Sequence, residues 1–422
     1  MKKSLLLVFF AGLASIALAE ASVTNVLVRQ RRPWAQKVDI DFTICGEKSD
    51  VELTATWDGQ STPVTLQVEK GLEGKAYGVQ GDCHLSWDAE TAGYELPLNN
   101  FRVAISVQPV SARKWLVIDL TNGSHEFLAD EPVGGFNADD AYKTTKMVFR
   151  RIPSTTFTMG YSSAQIAALK RASASDWYGK MWTQHQVTLS DDYYMAIYRL
   201  TNAQCEWIGS KKQTSTGDAA KSWRMGSGNG YNSNYSYNYY RGAVADGANW
   251  PTLRYAVGPN SILGKFRALT GNRFLIDFPT DAQLENAFRC GTTTLWSHGG
   301  ETDITAEGIS NMVAQVCNAD SCIVGTKLAN AYGLYDTVGH GMELCNDQWV
   351  SSLGSSAVTD PVGPTDNESA RTVKSGGWVS DTVKAGLANP AYRMGTDVTK
   401  GRDGSYGYMV ARPCIHLNSV FH

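Results

Sequence analysis

The feature that most constrains this chain is a change of texture near residue 147. Before it, apolar residues recur at every second position. Val51, Leu53, Ala55 and Trp57 alternate with polar residues, and Phe101, Val103, Ile105 and Val107 do the same. That period places one face of a strand against a core and the other in water. Trp115 to Leu120 is a denser apolar run, the pattern of a central strand. Asp58-Gly59 and Asn122-Gly123 supply the positive-φ residues of tight turns.

Short alternating strands with turn signals over about 110 residues predict a β-sandwich of immunoglobulin or fibronectin type at residues 22–133. No motif within it carries chemistry. A Pro- and Gly-containing stretch, Glu131 to Gly135, leads into a linker over residues 134–146. From Met147 the chain is rich in Gly, Asn and Ser, and reads as a loop-rich α+β domain over residues 147–413, with a tail at 414–422. Three helix starts there carry the capping-box pattern, in which side chains satisfy the free N–H groups of the first turn. They are Ser162-x-x-Gln165, Thr201-x-x-Gln204 and Thr280-x-x-Gln283. After Thr280, the residues Leu284, Ala287 and Phe288 share one helical face, which should pack on a core. Asn260 to Leu269 predicts a further helix, with Gly271 placed to end it.

The first residues predict export. Lys2 and Lys3 precede an apolar run from Leu5 to Leu18, and Ala17-Leu18-Ala19 offers the small-x-small cleavage pattern, so residues 1–19 read as a signal peptide. The run is shorter than the ~20 residues that span a bilayer, and acidic Glu20 follows it. No later segment is apolar enough to cross a membrane, so the expected location is secreted, periplasmic or cell-surface. The net charge of −3 falls to about −5 once the leader's two lysines are removed, which argues against a nucleic-acid partner. Eight cysteines, all beyond the leader, form an even set that suggests disulfides in an oxidising compartment. Cys45 and Cys83 stand alone in the N-terminal third and could pair. Cys205, Cys290, Cys317, Cys322, Cys345 and Cys414 allow fifteen pairings between which sequence does not choose. No zinc-type CxxC spacing occurs.

Five blocks in the second domain are specific. Phe157-Thr-Met-Gly160 is followed by Val187 to Tyr194 and then by Arg199-Leu-Thr-Asn-Ala-Gln204. Phe278 to Arg289, Gly333 to Glu343, Ser375-Gly-Gly-Trp378 and Gly407 to Val410 follow in turn. In content and order these resemble the formylglycine-generating enzyme, or sulfatase-modifying factor, family. The resemblance implies a variant of the C-type lectin fold.

It also implies chemistry that can be checked residue by residue. The family's oxidase holds copper(I) on two cysteines just after the Gly-Gly turn, soft thiolates being what that ion needs. The matching positions are about Ser380 and Ala385, and no cysteine occurs from Gly376 to Arg412, so copper and catalytic residues are expected to be absent. A related branch uses iron on a histidine cluster, whereas the seven histidines here, including His84, His185, His298 and His340, are scattered. The resemblance further implies a structural calcium ion at Asp336, Gly339, Gly341 and Glu343, two carboxylates and two carbonyls of one loop, which suits a hard cation. A second calcium loop would fall around Asn311 to Asp320, with altered spacing. Gly226 to Gly230, followed by the Tyr-, Asn- and Ser-rich run Tyr231 to Tyr240, misses the nucleotide-binding pattern and has the composition of a recognition loop.

These readings converge on an exported, non-catalytic protein that recognises a protein or carbohydrate ligand. Two alternatives stand beside it: a formylglycine-generating oxidase acting on exported sulfatases, and a hypervariable lectin-like binding protein with changes clustered near Trp378 to Tyr408.

Overall fold

The computed structural model describes residues 21–68, 75–172, 184–209, 257–297, 323–339, 342–363, 370–375, 389–397 and 409–417. The expected leader, the tyrosine-rich run, the Asn311–Asp320 loop, Ser380, Ala385, Cys317, Cys322, His298, His340 and Gly341 lie outside these residues. The chain divides into two compact units. The first ends at Val110, and the second contains Gln67–Tyr77 and everything from Ser111 onward.

The first unit is a five-stranded sheet. Its strands are β1 (Ser22–Gln30), β2 (Lys37–Trp57), β3 (Gln60–Thr65), β4 (Lys75–Asp88) and β5 (Arg102–Pro109), and four of them pair with the long β2. The expected alternation is present: Val51, Leu53, Ala55 and Trp57 are buried while the residues between them are half-buried. Asp58 and Gly59 make the β2–β3 turn, with Gly59 at φ +84°. Trp57, Trp87, Tyr94 and Phe101 gather their rings within 4.9–6.2 Å of one another, and this aromatic group anchors the sheet's inner face.

The suggested Cys45–Cys83 disulfide is not formed. Both thiols are free, and the sheet explains why. On the outer face, Thr43 donates to Asp82 at 2.7 Å and His84 meets Asp41 at 2.6 Å. Strand parity puts Cys45 on that face with Thr43, and Cys83 on the other with the buried Leu85. Cys205, Cys290, Cys345 and Cys414 are free as well.

The second unit takes in more of the chain than the sequence pattern assigned to it. The Trp115–Leu120 run is a central strand, but of this unit. It forms β6 (Trp115–Asp119), and β7 (His125–Leu128) pairs with it across the Asn122-Gly123 turn. β6 in turn pairs with β8 (Lys146–Ile152), between the short helix α1 (Ala141–Thr144) and β9 (Thr155–Met159). Helix α2 (Ser163–Ala172), β10 (His185–Leu189), β11 (Tyr193–Ala196), helix α3 (Asn202–Trp207) and helix α4 (Ile262–Leu269) follow. Next come β12 (Leu275–Asp277), helix α5 (Asp281–Arg289), β13 (Met342–Gln348), β14 (Val358–Thr359) and β15 (Ala370–Lys374). β16 (Arg393–Asp397), β17 (Met409–Val410) and β18 (Cys414–His416) complete the described elements. They build a six-stranded sheet in the order β12-β18-β11-β8-β6-β7, a three-stranded sheet β14-β10-β9 and a four-stranded sheet β16-β15-β13-β17. The unit is therefore richer in strand than a loop-rich reading suggests. Strands such as β11 and β13 are buried at every position, so no period of two marks them in sequence.

The helix signals hold. Ser162, Thr201 and Thr280 each accept from the backbone N–H three residues on, and the glutamine there returns the bond. Leu284, Ala287 and Phe288 are fully buried. Ser261 caps α4, and Gly271, at φ +66°, follows its end. Thr280→Ala should lower the stability of this unit by about 1 kcal/mol in denaturant unfolding, because it leaves the Gln283 N–H without its acceptor at the start of a buried helix. Among the described residues, no helix is long and apolar enough to cross a membrane.

Candidate functional site

The loop from Gly333 to Glu343 is fixed at both ends before any side-chain chemistry is considered. Asn330 donates to the Ala287 carbonyl at the end of α5 at 2.8 Å and accepts from the backbone of Tyr332 and Leu334. Gly333 has φ +79°, and a Cβ there would lie 2.6 Å from the Trp115 ring, so only glycine fits. Further on, the Gly339 N–H donates to the Ser375 carbonyl at 2.9 Å.

Glu343, the second residue of β13, is wholly buried. Arg199, three residues beyond the end of β11, donates Nε to Glu343 Oε1 at 2.7 Å. Arg412, just before β18, donates Nε to Oε2 at 2.9 Å and a terminal nitrogen to Oε1 at 3.0 Å. The remaining Arg412 donors reach the carbonyls of Ala196, Ile197, Tyr335 and Asp336 at 2.8–3.3 Å. Arg199 also donates to the Gly339 carbonyl at 2.8 Å. Such forked, charge-assisted bonds make the pair acceptable in a dry interior.

Of the four positions expected to hold calcium, the structure brings Asp336, Gly339 and Glu343 together around the two arginines. Asp336, at φ +54°, accepts the Gly325 N–H on Oδ2 at 2.7 Å. Burial pushes its carboxyl above the ordinary value, against the pull of that N–H and of Arg199 and Arg412. Both Glu343 oxygens, the Gly339 carbonyl and Asp336 Oδ2 therefore each face a donor of the chain itself. Calcium needs free oxygen ligands, and the arrangement does not fit it.

A second buried cluster lies on α5. Asp281, Glu285 and Arg289, spaced four apart, project from one helical face. Lys374, at the end of β15 and fully buried, forms an ion pair with Asp281 Oδ1 at 2.7 Å and donates Nζ to Glu285 Oε2 at 2.9 Å. Arg393 meets Asp281 Oδ2 at 2.5 Å, and Arg289 meets Glu285 Oε1 at 2.8 Å. Glu285 also accepts the Gly160 N–H at 2.8 Å. Burial raises the carboxyls of Asp281 and Glu285, but Arg393 and Lys374, and Lys374 and Arg289, outweigh it and hold both below their ordinary values. Burial likewise opposes the charge of Lys374, and the two carboxylates overcome it and hold it above its ordinary value.

The pH dependence has a definite sign. A carboxylate whose folded value is depressed stabilises the fold above its unfolded value and loses that contribution as pH falls through the folded one. Stability should thus drop as pH falls below about 4.5, the unfolded range of these carboxyls. Thermal unfolding between pH 6 and pH 3 would show it. The raised Asp336 acts in the opposite direction and softens the slope.

Burial acts on the thiols near this core as well. Cys205, Cys345 and Cys414 are buried, and burial holds all three well above the ordinary value, with Asp281 and Asp347 adding to the effect on Cys345. His185 lies buried in β10 of the second unit, and His84 on the outer face of the first unit's sheet.

Sequence reasoning placed Arg199 inside a motif and Asp281, Glu285 and Arg289 on a helix without giving any of them a role, and it passed over Arg412 and Lys374. The signal was available: each of Arg199, Lys374 and Arg412 follows directly on apolar residues that the core buries, and a cation there must carry its anion with it.

The blocks that carry these residues decide the family. A family model described as a sulfatase-modifying factor enzyme 1-like domain matches residues 134–412. The chain belongs to this family. The sulfatase-modifying factor match begins after β6 and β7, so the six-stranded sheet includes two strands that precede it. Among solved structures, the chain is similar to variable protein 1 of Treponema denticola, with 16% identity and a TM-score of 0.43 over 64% of this chain and 95% of that one. It is also similar to PvdO from Pseudomonas aeruginosa, with 15% identity and a TM-score of 0.40 over 64% and 94%. A likeness to CarF has 11% identity and a TM-score of 0.33 over 63% and 96%. No curated protein matches the sequence closely enough to count as a relative.

Proposed function

We propose that this sulfatase-modifying-factor family member is an exported recognition protein without formylglycine-forming activity. One observation carries the reading: from Gly376 to Arg412, where the family's copper cysteines would stand, the chain has no cysteine. Nor do the domain's buried thiols supply a substitute. Copper(I) is held by thiolates, and Cys205, Cys345 and Cys414 are kept neutral by burial. What remains of the family is a scaffold held by its own ion pairs, suited to displaying loops to a protein or carbohydrate ligand.

The first unit then acts as a spacer of the immunoglobulin-like sandwich type. In support, β2 changes partners along its length, from β1 over Val38–Cys45 to β5 over Ser49–Thr56, with Gly46 at φ +88° between the two. A strand that exchanges neighbours in this way can pass from one layer of a sandwich to the other. The signal-peptide pattern of residues 1–19 supports export.

The test is an assay of the purified protein with copper(I), oxygen and a Cys-x-Pro-x-Arg peptide, read by mass spectrometry. The peptide should be recovered with its cysteine intact. Enzyme-dependent aldehyde formation would overturn the proposal.

A further inference from the structure

The ion-pair geometry around Glu343 departs from what the family resemblance implies. If the loop held calcium, Asp336 and Glu343 would give it carboxylate oxygens and Gly339 a carbonyl. In this chain the guanidinium of Arg199 takes one oxygen from each of two of those positions, Glu343 Oε1 at 2.7 Å and the Gly339 carbonyl at 2.8 Å. Asp336 turns Oδ2 to the Gly325 N–H, and Arg412 occupies the second oxygen of Glu343.

We infer that the Arg199 guanidinium stands in place of a metal ion, so that the Gly333–Glu343 loop is held by a covalently attached cation and does not bind calcium. Charge supports this as well as geometry. Two carboxylates, Asp336 and Glu343, already face two guanidiniums, Arg199 and Arg412. A divalent cation added to that balanced and buried set would bring two uncompensated positive charges into a medium that tolerates none. It would also have to displace bonds that are forked and fixed by the backbone. A guanidinium spreads one positive charge over five donors, enough to satisfy a carboxylate and a carbonyl together.

The consequence is functional. A loop anchored by a metal softens when calcium is scarce, whereas one anchored by Arg199 keeps its form at any calcium concentration. The recognition surface would then work equally in calcium-rich and calcium-poor surroundings.

The full chain can be tested by counting bound calcium after equilibrium dialysis, for the wild type, Arg199→Gln and Asp336→Asn. Removing the guanidinium should open the site, so Arg199→Gln is expected to bind about one calcium ion more per chain than the wild type. Asp336→Asn should bind as many as the wild type. Asparagine tolerates the positive φ of that position and still accepts the Gly325 N–H, so this variant keeps the fold. Counting differences between chains removes any calcium bound elsewhere. A calcium ion lost on Asp336→Asn would overturn the inference, and so would a folded Arg199→Gln with no gain. If Arg199→Gln does not fold, the comparison of Asp336→Asn with wild type still decides.

Discussion

Glu343→Ala is expected to lower the unfolding free energy of the second unit by about 3–5 kcal/mol, the range for breaking a buried ion pair by removing one partner. The loss comes less from the bonds removed than from the charges left behind. Arg199 and Arg412 have side chains only 1% and 0% exposed. Without the carboxylate, both guanidiniums remain in the interior, still bound to backbone carbonyls but with only the Asp336 carboxylate left to offset the desolvation of two cations. Neither can move readily to water, because Arg412 also holds the Ala196, Ile197 and Tyr335 carbonyls, and these tie β11 to the Gly333–Glu343 loop. Glu343→Gln keeps the shape and one good acceptor, so its cost should be smaller although it too leaves the charge unbalanced. Guanidinium-induced unfolding followed by tryptophan fluorescence would measure both. A cost below about 1 kcal/mol for the alanine variant would place the pair in the class of solvated surface bridges and contradict its burial.

How much of this was legible in sequence depends on whether the information is local. Capping boxes are local, four residues long, and Thr201 and Thr280 form theirs as read. The half-buried strands of the first unit are local too, since alternation at Val51–Trp57 records two different surroundings. The unit boundary is not local. Trp115–Leu120 looks the same whichever sheet it joins, and only its pairing with Met147 to Arg150 assigns it to the second unit. The calcium expectation had a similar weakness. Asp336 and Glu343 have the right chemistry for a hard cation, but their availability depends on Arg199, 144 positions away from Glu343 in the chain. Cys45 and Cys83 show the reverse case: parity along two strands separates them, and parity is readable only when the register between the strands is known. Sequence thus located the family's loops and helices, while the ion pairs that fix them required the fold.

The same reasoning gives the second large effect, at Glu285. Glu285→Ala should cost the second unit about 3–5 kcal/mol as well, because three buried donors converge on this carboxylate: Lys374 Nζ at 2.9 Å, Arg289 Nε at 2.8 Å and the Gly160 N–H at 2.8 Å. Its removal leaves Asp281 to balance Lys374, Arg289 and Arg393, three cations against one anion. Removing Lys374 instead, as Lys374→Met, leaves two carboxylates with two arginines. That balance should make it the milder change, despite taking away the most buried charge in the cluster. The order of the two variants therefore separates charge balance from simple loss of contacts. Acid titration separates them again. In the wild type, Glu285 contributes stability that is lost as pH falls through its depressed folded value, and Glu285→Ala has no such group to lose. Its unfolding free energy should fall less steeply than wild type between pH 5 and pH 3. Parallel pH profiles would mean that Glu285 is not the carboxylate that holds this core together.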